Sequence, residues 1–271
     1  MTRPELIVAD SPPEAAAIAA GRIADAIADA ITARGVAHWA TTGGSAAPPL
    51  YEVLSRPPVS NRVDWARVHV WWGDDRFVPA DHPLSNALPF VQVMLNAGRR
   101  ATGTGGQPGV DRGGVVIPNE QVHVMPMAAA IAEGGGPAAV ARAYEEELRR
   151  AGPPLDADGW PQLDLLLLGI GPDGHLLSVF PDSPAWDARD LVVPIPAPTH
   201  VEPHVERVTL HPAVVGAARR VVVVATGAAK ANVLARALEG DASPRALPAA
   251  AAAHERATWV LDRAAAERID A

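Results

Sequence analysis

The stretch DLLLLGIGPDGH, residues 164–175, decides the fold. From Asp164 to Ile170 it is apolar at both parities, so both faces of the strand it forms must be covered, as in the centre of a parallel sheet. Gly171-Pro172-Asp173-Gly174-His175 then ends the run and carries polar groups away from it. A second apolar run, Val221 to Ala225, ends at Thr226-Gly227 before a helical segment from Ala228 to Leu238. Working outward, Leu6–Ala9, Val36–Thr41, Val68–Trp72 and Thr258–Leu261 read as further strands. Ser11-Pro12-Pro13-Glu14 has the form of a capping box with proline at the first helical position, opening a helix to about Ala33. Leu50–Leu54, Asn86–Asn96 and Val140–Arg150 also read as helical. Strands alternating with helices predict an α/β fold with a mainly parallel, Rossmann-like sheet covered by helices on both faces. No repeat or linker divides the chain, so residues 1–271 are expected to form a single domain. Residues 98–116, GRRATGTGGQPGVDRGGVV, are too rich in glycine for a regular element and read as a flexible surface loop.

With 48% hydrophobic and 20% charged residues, the bulk of the chain is not disordered. A formal net charge of −8 argues against general nucleic-acid affinity, so an anionic ligand must be held by a local site. Of the 23 basic residues only one is lysine, Lys230. The absence of cysteine excludes disulfides, thiolate metal sites and a cysteine nucleophile, and fits a reducing compartment. The opening MTRPELIVADSPPEAAA lacks a charged-then-apolar leader, and no window approaches roughly 18 uninterrupted apolar residues. We therefore read the protein as cytoplasmic, with no membrane and no nucleic-acid partner.

In such sheets ligands bind beyond the carboxyl ends of the strands. Four turns stand out there. In Thr42-Gly43-Gly44-Ser45-Ala46-Ala47-Pro48-Pro49, glycine allows close backbone approach, Ser45 is placed to cap the next helix, and the amides of residues 44–47 face a phosphate or carboxylate. In Thr226-Gly227-Ala228-Ala229-Lys230, the lysine falls in the first turn of a helix, where the positive dipole end disfavours a cation by roughly 0.3–1 kcal/mol. An anion bound at the same place reverses that repulsion, whereas a solvated lysine is the plainer reading. Asp173-Gly174-His175 places a carboxylate two residues before a histidine, which suits a base with a charge to orient it; a histidine capping a following helix is the alternative. Asp74-Asp75-Arg76 follows Trp71-Trp72 and suits a clamp on a carbonyl, or else a paired surface arginine.

Two other constellations fit less well. His200, Glu202, His204 and Glu206 alternate like metal ligands on one strand face, but Pro203 interrupts them and they precede an apolar run, so no metal site is expected. Gly43-Gly44-Ser45 approaches a serine nucleophile elbow but lacks the second glycine and runs into two prolines.

Taken together, TTGGSAAPPLYEVL, VWWGDDRFVPADHPLSNALPF, DLLLLGIGPDGHLLSVFPDSPA and RVVVVATGAAKANVLARALEG occur in the order that resembles the 6-phosphogluconolactonase family, part of a superfamily that includes glucosamine-6-phosphate isomerase/deaminase. The resemblance runs from about Val36 to Leu261. It implies a modified parallel α/β fold and hydrolysis of 6-phosphogluconolactone, a small phosphosugar lactone, in the oxidative pentose phosphate pathway, with no required cofactor. By position it implies that Gly43, Gly44, Ser45, Lys230 and Arg207 hold the phosphate. His175 takes a proton from water, Asp173 tunes it, Asp74 and Arg76 lie near the lactone, and Asn86 belongs to the family's Ser-Asn pair. The deaminase relative carries a Glu five residues after the His, where this chain has Phe180, and a Tyr where Arg76 stands. A sugar-phosphate sensor without catalysis is a third reading; no appended basic segment supports it. Leu176-Leu177 replaces the family's common Thr-Ala, and Asp75 its usual Glu.

Overall fold

The computed structural model describes residues 3–95, 114–240 and 242–269. Seven parallel strands form the main sheet: β1 (Glu5–Ala9), β2 (Ala37–Thr41), β3 (Val68–Trp72), β5 (Val122–His123), β6 (Leu165–Gly169), β9 (Val221–Ala225) and β10 (Ala257–Asp262), in the spatial order β1-β10-β9-β6-β2-β3-β5. Every residue of β2 and β9 is buried, so both faces of the sheet centre are covered, as an uninterrupted apolar run requires. At the edge, β1 leaves Leu6 and Val8 exposed.

Helix α1 (Pro12–Arg34) begins as its sequence dictates. Ser11 accepts a bond from the Glu14 amide at 3.4 Å and Gly35 closes the helix in the left-handed region at φ 80°. The reciprocal half of the box is shifted by one residue, because the Glu14 carboxylate accepts from the Asp10 amide at 2.7 Å. The alanine-rich inner face of α1 packs against β9, β10 and β2, small side chains allowing close approach to the sheet. Helix α2 (Ala47–Leu54) packs on α1.

A second sheet, which no apolar run in the sequence marks, lies beside the first. Strands β4 (Asp74–Arg76), β8 (Arg207–Leu210) and β7 (Val192–Ile195) pair antiparallel in the order β4-β8-β7. The chain passes from β3 into β4 through Gly73 alone. Its amide donates to the Thr41 carbonyl at 2.9 Å inside the main sheet, while its carbonyl accepts from Leu210 at 2.8 Å inside the small one. A β-carbon there would stand 2.6 Å from Leu177 Cδ2, so any other residue would have to push that side chain aside.

Two expected elements differ in detail. The Asn86–Asn96 helix is an α-turn over Ala87–Phe90 continued by a π-helical turn over Val91–Leu95; Asn96 lies outside the described residues, as do positions 98–113 of the Gly-rich stretch. No helix follows His175. Leu176 and Val179 instead bridge across a tight turn with Leu177 at φ 54°. Among the described residues no helix is long and apolar enough to cross a membrane.

Candidate active site

The carboxyl ends of β2, β6 and β9 and the edge of the small sheet open onto one cavity of about 560 Å³. Gly43, Gly44, Ser45, Asp74, Arg76, Asn86, His175, Arg207 and Lys230 all line it, so nine residues singled out in sequence converge. Asp173, the tenth, stands behind the wall against His175.

His175 is held by local chain geometry. Gly171 lacks a β-carbon where the imidazole lies, and its amide bonds the His175 carbonyl at 2.9 Å, closing the loop on itself. Asp173 Oδ1 takes Nδ1 of His175 at 2.5 Å, which leaves Nε2 as the nitrogen for chemistry. Asp173 Oδ2 meets Nε2 of His200 at 3.0 Å. Burial pushes the Asp173 carboxyl up, but the bonds and charges of His175, together with the His200 bond, outweigh it and hold the group well below the usual carboxylate range.

In the sequence His200 fits only a metal-ligand pattern. The structure gives it a different partner, while His204 turns to Glu202 at 3.1 Å and to the Pro198 carbonyl at 2.7 Å. Among the described residues no group of three His, Asp or Glu side chains converges as metal ligands do. The Asp173–His200 bond had no sequence signal, since 27 positions separate the two residues.

The small sheet presents two guanidiniums. Arg76 and Arg207 are direct partners in the antiparallel pairing of β4 and β8, and such like-charged neighbours destabilise a sheet. Arg76 donates to the Leu84 carbonyl at 2.8 Å and Arg207 to the Pro203 carbonyl at 3.1 Å. The Nε of each is buried without a hydrogen-bond partner. Arg207 is only 2% exposed and lies over the Phe180 ring at 5.2 Å. Burial lowers its pKa, Asp74 and Asp173 oppose that, and Arg76 adds to it.

Both carboxylate oxygens of Asp74 are engaged. Its carboxylate accepts from Ser178 Oγ at 2.6 Å and Asn86 Nδ2 at 3.2 Å, which ties the turn after His175 to the small sheet. Its neighbour Asp75 is also buried, which pushes its carboxyl up to about 6 against the pull of the Asn86 and Arg76 amides, each bonded at 2.7 Å.

At the glycine turn the expected Ser45 cap does not form. The N-cap position of α2 is Ala46, and the next residues that would donate to a capping side chain are Pro48 and Pro49, which have no N–H. Ala47 donates to the Gly44 carbonyl at 3.3 Å, so the amide set narrows from residues 44–47 to Gly44, Ser45 and Ala46. The exposed Ser45 hydroxyl faces the cavity.

Lys230 stands one residue outside the regular helix Ala231–Glu239, as its N-cap, after a single 3-10 turn over Ala228–Lys230. Gly227 makes that approach at φ 93°, its amide fixed by Asp262 Oδ1 at 3.0 Å. Burial lowers the pKa of the Lys230 ammonium, and the charge of Asp262 partly restores it.

The family model for glucosamine-6-phosphate isomerases/6-phosphogluconolactonase matches residues 10–260. The chain belongs to this family. Within it, the chain is 34% identical over 266 residues to the 6-phosphogluconolactonase of Streptomyces coelicolor, covering 98% of this chain and 95% of that protein. It is 36% identical over 256 residues to the 6-phosphogluconolactonase of Mycobacterium tuberculosis, with 93% of each covered. A solved structure of the Trypanosoma brucei 6-phosphogluconolactonase superposes over 100% of both chains with TM-score 0.81 at 27% identity. A monomeric glucosamine-6-phosphate deaminase shares the fold, with TM-score 0.72 at 18% identity over 97% of this chain and 99% of that one. The lactonase and deaminase branches therefore have to be separated by side chains. Phe180 does so. Its ring packs 4.8 Å from that of His175 and 5.5 Å from that of His200, filling with hydrocarbon the neighbourhood where the deaminase reading needs a carboxylate.

Proposed function

We propose that this chain hydrolyses 6-phospho-D-glucono-1,5-lactone to 6-phosphogluconate, a step of the oxidative pentose phosphate pathway. The observation that carries the reading is the His175–Asp173 pair, facing one cavity with two arginines and a lysine and with Phe180 beside it.

Nε2 of His175 accepts a proton from water as the water oxygen attacks the lactone carbonyl carbon. Asp173 stays ionised, fixes the tautomer with the proton on Nδ1, and balances the imidazolium that forms. Negative charge that develops on the carbonyl oxygen is stabilised by Arg76. Collapse of the tetrahedral intermediate breaks the bond to the ring oxygen. The His175 proton passes to that oxygen, leaving a hydroxyl and a carboxylic acid that ionises in water. Asp74 serves as a positioning residue, bonded as it is to Ser178 and Asn86. The amides of Gly44, Ser45 and Ala46, with the Ser45 hydroxyl and Lys230 and with Gly43 allowing close approach, hold the phosphate so that the lactone end is presented to His175. Arg207 binds substrate beside Arg76, its charge answering a dianion in a protein of net charge −8.

No step in this scheme calls for a metal or organic cofactor. We read the protein as a cytoplasmic enzyme acting on a free small molecule, with neither nucleic acid nor membrane as partner; a chain without cysteine suits a reducing compartment. The deciding experiment offers freshly made 6-phosphogluconolactone and glucosamine 6-phosphate separately, measuring acid and ammonia release. Acid from the lactone above the enzyme-free rate is expected. Ammonia without acid overturns the reading in favour of the deaminase, and neither product leaves a sugar-phosphate sensor.

A further inference from the structure

The end of the main sheet opposite the candidate active site gathers a second set of charges. Strands β10, β9, β6 and β2 are neighbours in that order, and all are parallel, so the residues entering them lie side by side. Arg256 precedes β10, Arg219 and Arg220 precede β9, Asp164 precedes β6, and Arg34 stands three residues before β2. Together with Asp29 they line a cavity of about 410 Å³.

Asp164 is buried and already matched. Its Oδ2 accepts from the His38 amide at 2.8 Å and its Oδ1 from Arg34 Nε at 2.7 Å. Arg220 pairs with Asp29 at 2.9 Å. Arg34 also compensates the negative end of α1, in whose last turn it stands. That leaves Arg219 and Arg256 without a carboxylate of their own. Arg219 reaches only a carbonyl-type oxygen, Gln162 Oε1 at 2.9 Å; its Nε sits 3.5 Å from the already neutralised Asp164 and is buried without a hydrogen bond. Arg256 donates to the Gly216 carbonyl. Each guanidinium has five N–H donors, and these contacts engage one or two nitrogens of each. Two unmatched positive charges with free donors, lining one polar recess, correspond in charge and in planar fork geometry to a phosphate group.

We propose that this recess is an anion site that takes a phosphate group, as the free ion or as a phosphomonoester, with Arg219 and Arg256 as its principal donors. It lies at the amino ends of strands whose carboxyl ends form the catalytic cavity, so occupancy does not compete with substrate. Arg219 is partly exposed and Arg256 exposed, and binding weakens with ionic strength.

The test follows arginine Nε–H resonances by NMR during titration with inorganic phosphate, the signals assigned through Arg219→Gln and Arg256→Gln singly. Saturable shifts of both signals are expected, in the wild type and equally in Lys230→Ala, where the catalytic cavity has lost its lysine. The double variant should bind at least tenfold more weakly, read on the Arg34 and Arg220 signals, with kcat/KM for the lactone within twofold of wild type. Glycerol phosphate is the second arm: equal shifts identify the phosphate group of a monoester, and shifts with the free ion alone identify inorganic phosphate. The proposal is overturned by shifts that never saturate, by equal shifts with chloride at matched ionic strength, or by unchanged affinity in the double variant. Should the double variant fail to fold, the single variants carry the same affinity comparison.

Discussion

The side-chain amide of Asn86 occupies the space that a β-carbon on residue 43 would need. Asn86 is itself fixed, its Nδ2 donating to the Asp74 carbonyl at 2.9 Å and to the Asp74 carboxylate at 3.2 Å. Gly43→Ala must displace Asn86 and break buried hydrogen bonds, each contributing about 1 kcal/mol. We expect kcat/KM to fall about tenfold to a hundredfold with circular dichroism unchanged, and Asn86→Ser in the same chain to restore part of the loss by making room. Full activity in Gly43→Ala would show that the contact does not shape the site.

His175→Ala is expected to abolish lactone opening above the enzyme-free rate while leaving the melting temperature within a few degrees. Because the lactone also opens spontaneously, the measurement is the excess over that blank. An unimpaired variant would remove His175 from the mechanism.

Lys230→Ala is expected to raise KM for the phosphorylated lactone about tenfold or more, consistent with the 1.5–3 kcal/mol of a hydrogen bond to a charged group. Turnover of unphosphorylated gluconolactone should hardly change. Equal losses on both substrates would argue against a phosphate contact.

His200→Ala removes one of the two imidazoles that hold Asp173. A several-fold drop in kcat with little change in KM is expected, with partial rescue in His200→Gln, whose amide keeps a donor. Wild-type kcat in the alanine variant would confine His200 to the surface of the site.

Acid should weaken the fold through a stack of imidazoles away from the cavity. His38 accepts from Trp71 Nε1 at 3.2 Å and lies beside His69, which meets His123 at 2.9 Å; His123 meets Glu147 at 2.8 Å. Burial, then the charges of His69 and His123, lower the His38 pKa from 6.5 to about 4. The unfolded chain therefore binds the extra proton first, so stability present above about 6.5 is lost as pH falls toward 4. The loss attributable to His38 is about 3 kcal/mol. Melting temperatures of wild type and His38→Asn between pH 7 and 4.5 should converge as pH falls, since the variant lacks this titration. Parallel curves would exclude His38 as the source.

The main sheet was legible because a strand covered on both faces must be apolar at every position, as Leu165–Leu168 and Val221–Ala225 are. The small sheet was not, because its strands carry the polar groups of the site. Asp74-Asp75-Arg76 looks like a turn, Pro194 interrupts β7, and Arg207 opens β8. Two-residue β5 is too short for any periodicity. The site residues were legible from their places after apolar runs and from the family resemblance, whereas their bonds were not. Ser45 loses its capping role to Pro48 and Pro49, and His200 finds Asp173 only once the chain has folded.

Gly73 joins two differently built supports. On the proposed reading, the phosphate anchor and the proton-transfer pair ride on the parallel strands, while Arg76 and Arg207 ride on the antiparallel ones. The seam between them is one residue wide. Arg76 and Arg207, paired across β4 and β8, share one support, which the Asp74–Ser178 bond ties to the turn that carries His175. A substitution in the small sheet that shifts one guanidinium therefore shifts the other with it.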